Sequence, residues 1–298
     1  MTDEGVDELI RVTKQIRAVL RVRTRCKRIT IHLDLRQTSE MTAGAAVKIH
    51  AELDVLRGLR RKVILVRCRT RSGTSVSHLV SASGLGKSVP PDTAQDGVIP
   101  MQTGSTKPDM HDLFRKMNRS FYGGQIVMDD DQWLDLSESI QEATANVQEH
   151  AYATPERRDY VKRDLDRWWI FGHTDDSWIN FVIFDKGQGI PKRFPTNPDF
   201  RIIDRFSRIA RITKTDSWLI VLAYKYSVHN RKRRSGGRGN GFAIMSEMVE
   251  DGGAELYIRS NRGWAYFRGG HEPVHSDNVR SFHGTLIQIR IPLPGRPS

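Results

Sequence analysis

LSESIQEATANVQEHAY, residues 136–152, puts an apolar and a polar stripe on one helix. Trp133, Leu136, Ile140, Ala143 and Val147 recur at three- and four-residue steps, the spacing of a face turned towards a core. Glu142, Asn146 and Glu149 recur the same way on a second stripe. At about 100° per residue, Asn146 and Glu149 each fall within about 40° of Glu142. A carboxylate and a carboxamide one turn apart can serve a divalent cation and a water together. The same spacing also describes an ordinary solvated face, so the rest of the chain decides.

The chain has 298 residues, enough for two ordinary domains, and its 38% hydrophobic and 28% charged content is that of a globular protein. Its longest strongly apolar run, Trp218 to Tyr224, is too short to span a bilayer. The opening MTDEGVDELIRV has no basic-then-apolar leader pattern, so the cytoplasm is the expected compartment, with no membrane partner. Cys26 and Cys68 have no CxxC partner and are read as packed thiols. The net charge of +12 gathers in runs at 11–28, 57–71 and 231–238. Such runs suit nucleic acid, acidic proteins or polyphosphates, but no helix-turn-helix, zinc-finger or RNA-binding signature accompanies them.

Asp7 to Leu20 is helical in pattern, and Arg28 to Leu35 alternates as a strand. Thr42 to Leu56 reads as a helix, Lys62 to Cys68 as a strand, and Ser75 to Ser83 as a short helix closed by Gly84. This order suggests a small α/β layer unit. The run ITIHLDLRQTSEMTAGAAVKI, then KVILV, then VSHLVSASGL, resembles the STAS domain of anti-sigma-factor antagonists and anion-transporter tails over 28–85. Members that are phosphorylated carry a serine just before the helix-opening glycine. Ala43 stands there, ahead of Gly44 and beside Thr42, which argues for a docking or dimerising module rather than a phosphoacceptor.

SASGLGKS, ending in Gly86-Lys87-Ser88, imitates a phosphate-binding P-loop, but Ser81 occupies the first glycine position and a helix rather than a strand precedes it. Residues 87–109 are rich in Pro, Gly, Thr, Ser and Asp, a linker composition. The expected division is therefore an α/β unit at 1–86, a linker at 87–110 and a second domain at 111–298.

Trp178 to Phe184, WINFVIF, has a buried-strand pattern and runs into Asp185-Lys186-Gly187-Gln188-Gly189-Ile190-Pro191. An aspartate at a strand end, beside glycines that let backbone approach a ligand, can accept a hydrogen bond from an exocyclic amine such as that of adenine. Gly236-Gly237-Arg238-Gly239-Asn240-Gly241 opens the helical run FAIMSEMVED, where exposed backbone N–H groups suit phosphate oxygens. Residues 254–260 and 263–267 resemble a hairpin, and GTLIQIRIP, 284–292, is a closing strand with Thr285 at its start.

This order of boxes resembles the GHKL ATPases, which include sensor histidine kinases, anti-sigma-factor serine kinases, the large heat-shock chaperone, gyrase B and MutL. SESIQEATANVQEHAY is most similar to the anti-sigma kinases, while DKGQGIP and GGRGNGF resemble sensor kinases equally. The resemblance covers 129–292 and implies a two-layer α/β sandwich of the Bergerat type with a mixed, mainly antiparallel sheet. It implies that Asn146 ligates Mg2+ bridging the phosphates of ATP, with Glu142 beside the metal as orienting group or base, and Glu149 on the same stripe. It implies Asp185 on the adenine amine, Gly187, Gly189 and Ile190 shaping that pocket, and Thr285 supporting a water network. Gly237, Arg238, Gly239, Asn240, Gly241 and Phe242 would hold the phosphates under a lid spanning about 195–238. Asn240 and Phe242 depart from the residues usual in that box. No histidine-bearing dimerisation helix pair precedes the domain, which argues against an autophosphorylating sensor kinase; His32, His50 and His78 are read as surface or packing residues.

The expected function is that of a Mg-ATP-binding regulatory protein, with ATPase or serine/threonine kinase activity towards a partner protein in bacterial signalling. A non-catalytic nucleotide-dependent switch or scaffold and a nucleic-acid-linked ATPase are the alternatives, and the sequence leaves open whether the chain forms a homodimer.

Overall fold

WINFVIF is apolar at every step but Asn180, because both faces of its sheet are covered. In the computed structural model, residues 3–18, 28–59, 63–85, 98–104, 112, 130–147, 151, 167–175, 177–196, 214–230 and 241–293 are described. In chain order the elements are α1 (Asp3–Ala18), β1 (Arg28–Asp34), α2 (Ala43–Leu59), β2 (Val63–Arg69), α3 (Ser75–Ala82) and β3 (Val98–Gly104). There follow α4 (Asp130–Asn146), β4 (Trp168–Thr174), β5 (Trp178–Asp185), a single-turn α5 (Ile190–Arg193), α6 (Asp216–Asn230) and α7 (Gly241–Glu250). The chain closes with β6 (Glu255–Ser260), β7 (Gly263–Arg268), β8 (Val274–Asp277) and β9 (Thr285–Pro292).

Seven strands form one sheet in the order β3-β4-β5-β9-β6-β7-β8, and every pairing in it is antiparallel. The mixed sheet expected from the resemblance is thus corrected. Parallel pairing among the described strands belongs to β1 and β2, which stand apart in register from Arg28↔Val63 to Asp34↔Arg69. There the helical crossover α2 returns the chain in the same direction.

Successive side chains of a strand point to opposite faces, and here the two faces feed two cores. Trp168, Ile170, Ile179, Phe181, Ile183, Ile287 and Ile289 meet α4, α6 and α7 on one side. Trp169, Phe171, Val182, Phe184 and Leu286 meet α1, α2 and α3 on the other. The α/β sandwich therefore carries a further helical layer, supplied by the N-terminal segment. An antiparallel sheet often leaves one face to water, which gives alternating sequence. Cover on both sides explains the apolar run of β5 from Phe181 to Phe184.

Two expectations need correction. Residues 98–104, whose composition suggested a linker, form β3 and pair with β4 at the sheet edge. An edge strand tolerates proline, and its register shifts between Ile99 and Gln102, beside Pro100. A lid running from 195 to 238 is interrupted by α6, whose Ile220 and Tyr224 are buried in the core of the α4 side. Among the described residues, no helix is long and apolar enough to cross a membrane.

Candidate functional site

The helix read first places its apolar stripe as expected: Trp133, Leu136, Ile140, Ala143 and Val147 are all buried against the sheet. Its polar stripe is left open. Glu142 is half-buried, and Asn146, the last residue of α4, is exposed one turn later. Glu149 lies outside the described residues.

Two other boxes close on this helix. Gly241, the first residue of α7, packs so tightly on α4 that a Cβ there would fall 2.9 Å from the Cβ of Glu142. Phe242, next in the chain, is half-buried against the core, with its ring 6.1 Å from that of Tyr224. Gly237, Arg238, Gly239 and Asn240 lie outside the described residues. Beyond the end of α4, the Gln188 N–H donates to the Ala151 carbonyl at 2.8 Å. A Cβ on Gly187 would come within 2.4 Å of the Ala151 Cβ, so only glycine lets the loop lie there.

Asp185 ends β5 and is 8% exposed. Its Oδ1 accepts from the Gly187 N–H at 2.6 Å. Across the β5–β9 pairing it faces Thr285, which donates to the carboxylate from hydroxyl and backbone. Burial raises the carboxyl to about 6, against those hydrogen bonds and the charge of Lys48. The group is thus mainly ionised at neutral pH, an acceptor more than a donor. Gly189, at φ +85°, caps the short helix that Ile190 begins.

The tip of the β6–β7 hairpin joins this corner, a contribution the sequence reading missed. The Ser260 hydroxyl accepts from the Ile190 N–H at 2.9 Å and lies 3.1 Å from the Thr285 hydroxyl. Asn261, at φ 54°, donates through Nδ2 to the Gln188 carbonyl at 2.8 Å. In sequence, Ser260-Asn261-Arg262-Gly263 signals only a turn.

The elements thus bring a buried acceptor carboxylate, a glycine-bearing loop, the start of a buried helix and an acid–amide pair around the C-terminal half of α4. Among the described residues, no three His, Cys, Asp or Glu side chains gather as a metal site. A divalent ion at Asn146 would share its coordination with ligand oxygens and water. That suits Mg2+, which keeps waters and takes phosphate oxygens rather than an all-protein cage. The donor set therefore fits a purine amine at Asp185 and a metal–phosphate group towards Asn146.

A family model described as histidine kinase-, DNA gyrase B- and HSP90-like ATPase matches residues 132–295, more than half of the chain. No curated protein is significantly similar to the chain. From the helix of Glu142 to the last strand, then, this chain belongs to the histidine kinase-, DNA gyrase B- and HSP90-like ATPase family.

Proposed function

We propose that the chain binds Mg-ATP and turns it over, by hydrolysis or by transfer to a hydroxyl of a partner protein, as a regulatory ATPase or serine/threonine kinase. The observation that carries this reading is Asp185: an ionised, nearly buried carboxylate whose donors come from Gly187 and Thr285. Such a carboxylate accepts from the amine of adenine and opposes the carbonyl that guanine presents there. Asn146 is the metal ligand, with Glu142 one turn before it to orient or deprotonate the attacking group. ATP supplies the transferable phosphoryl group, and Mg2+ neutralises charge on its oxygens. The chain's own part is positioning: Gly241 sets the start of α7 against Glu142, and the Gly187 loop sets the base end. Gly237, Arg238 and Gly239 complete the phosphate side in this reading.

The test is turnover by the full chain with Mg-ATP, with and without candidate partners. Glu142→Ala should retain nucleotide binding and lose turnover; undiminished turnover would remove the role given to Glu142. A non-catalytic switch is the second reading. The ion pair between the N-terminal Glu52 and Lys186, beside Asp185, favours it as a route from nucleotide to the N-terminal segment. No turnover under any condition, with binding intact, would select it.

A further inference from the structure

Behind Asp185, on the sheet face away from α4, three cations surround one carboxylate. Glu52 of α2, with a side chain only 1% exposed, meets Arg17 of α1 at 2.5 Å, Lys186 at 2.8 Å and Lys48 at 3.6 Å. Lys48 also donates to the His283 carbonyl at 3.0 Å and lies 4.6 Å from the ring centres of both Phe184 and Phe282. The chain positions matter. Lys186 directly follows Asp185, and His283 precedes Gly284-Thr285. Those two segments touch each other: a Cβ on Gly284, at φ +108°, would fall 2.0 Å from the Asp185 carbonyl oxygen. One turn of α2 therefore grips both backbone segments that carry the base-side carboxylate and its donor.

Burying Glu52 and Lys48 among these groups is a poor source of stability, because desolvation consumes most of the Coulomb gain. Its effect is to fix geometry. The electrostatics agree. Burial pushes Lys48 down to about 7, Glu52 opposes this, and Lys186 and Arg17 add to it. Burial also pushes Glu52 up, but Arg17, Lys48 and Lys186 outweigh that and hold it at about 2. Glu52 is thus firmly anionic and shared. Arg17, Lys48 and Glu52 all lie outside the segment matched by the family, 132–295.

We propose that Glu52 and Lys48 of the N-terminal helix are positioning residues of the nucleotide site, holding the Asp185–Lys186 and His283–Thr285 segments in place for adenine. This rests on the ATP-binding reading above. It makes the N-terminal segment part of the pocket's back wall, so displacing α2 loosens the base site, and bound nucleotide in turn favours docked α2.

The test uses the full chain, titrated calorimetrically with Mg-ADP and Mg-GDP, in wild type, Asp185→Asn, Lys186→Met, Lys186→Arg, Glu52→Gln and the Glu52→Gln/Lys186→Met double variant. Lys186→Met and Glu52→Gln should each weaken ADP about tenfold and narrow the ADP-over-GDP preference. The double variant should be no weaker than the worse single variant, and Lys186→Arg should restore most of the affinity. Wild-type ADP affinity and preference in Lys186→Met and Glu52→Gln, whatever their melting temperatures, would overturn the proposal while leaving Asp185 its role. Additive losses in the double variant would also overturn it. If Glu52→Gln fails to fold, Lys186→Met carries the test alone, since its side chain is 17% exposed at the rim of the cluster. If the wild type binds no ADP, the ATP-binding reading fails, and this inference falls with it.

Discussion

Asp185 and Thr285 face each other at the ends of adjacent antiparallel strands, and Thr285 donates to the carboxylate from both its hydroxyl and its backbone N–H. The strand register thereby fixes the carboxylate that we propose accepts from adenine. Thr285→Val keeps the shape and removes one donor. The Asp185 carboxyl should titrate higher than about 6, and ADP affinity near neutral pH should fall about threefold to tenfold. Calorimetry across the acid-to-neutral range checks both.

Asp185→Asn separates stability from binding. Burial raises the carboxyl from 3.8 to about 6 in the folded chain. A carboxyl raised by folding favours the fold below its unfolded value, and that advantage is lost as pH rises through the folded value. Above about 6 the wild type therefore carries an internal charge that costs on the order of 2–3 kcal/mol. The asparagine variant should lose ADP affinity by at least about tenfold. Without ligand it should melt no lower than wild type near neutral pH. The gap in its favour should grow from pH 3.8 to about 6. Thermal melts over that range provide the check.

Gly241→Ala should be felt at Glu142. The added methyl would sit 2.9 Å from the Glu142 Cβ, an atom close to the backbone that cannot swing away. Overpacking of this kind costs about 1–3 kcal/mol. We expect a lower melting temperature and lower turnover together, whereas Glu142→Ala lowers turnover alone.

The family's boxes were legible in the sequence because they are local. The stripe of α4 follows helical period, the strand–Asp–Lys–Gly run needs its own glycines, and GT opens the last strand. What the sequence hid is long-range. Lys48 and Glu52 stand at i,i+4 on α2, a spacing that by itself marks nothing, yet both are buried, and cations from α1 and the Asp185 loop converge on Glu52. Ala43, ahead of Gly44 at the start of α2, is itself buried in the core on that side of the sheet. The strand VIPMQTG looked like linker because edge pairing asks little of composition. SWLIVLAYKY, inside the expected lid, is apolar on most sides, and this marks a helix packed on several elements rather than a cover that opens.

Asp277 anchors that helix. Its carboxylate accepts from the Ser217 N–H at 2.7 Å and the Asp216 N–H at 3.1 Å, satisfying two free donors at the start of α6. Asp277→Ala should cost about 1 kcal/mol, as loss of a helix cap does. Chemical denaturation would show it as a lower midpoint with an unchanged slope.

The central claim is that one adenine nucleotide is held between Asp185 and the Glu142–Asn146 face of α4. Titration of the full chain with ADP and then GDP, magnesium present, tests it most directly. The account predicts saturable binding of one ADP per chain, much weaker binding of GDP, and loss of the ADP signal in Asp185→Asn. No heat from any adenine nucleotide, or equal affinity for both bases, would contradict it.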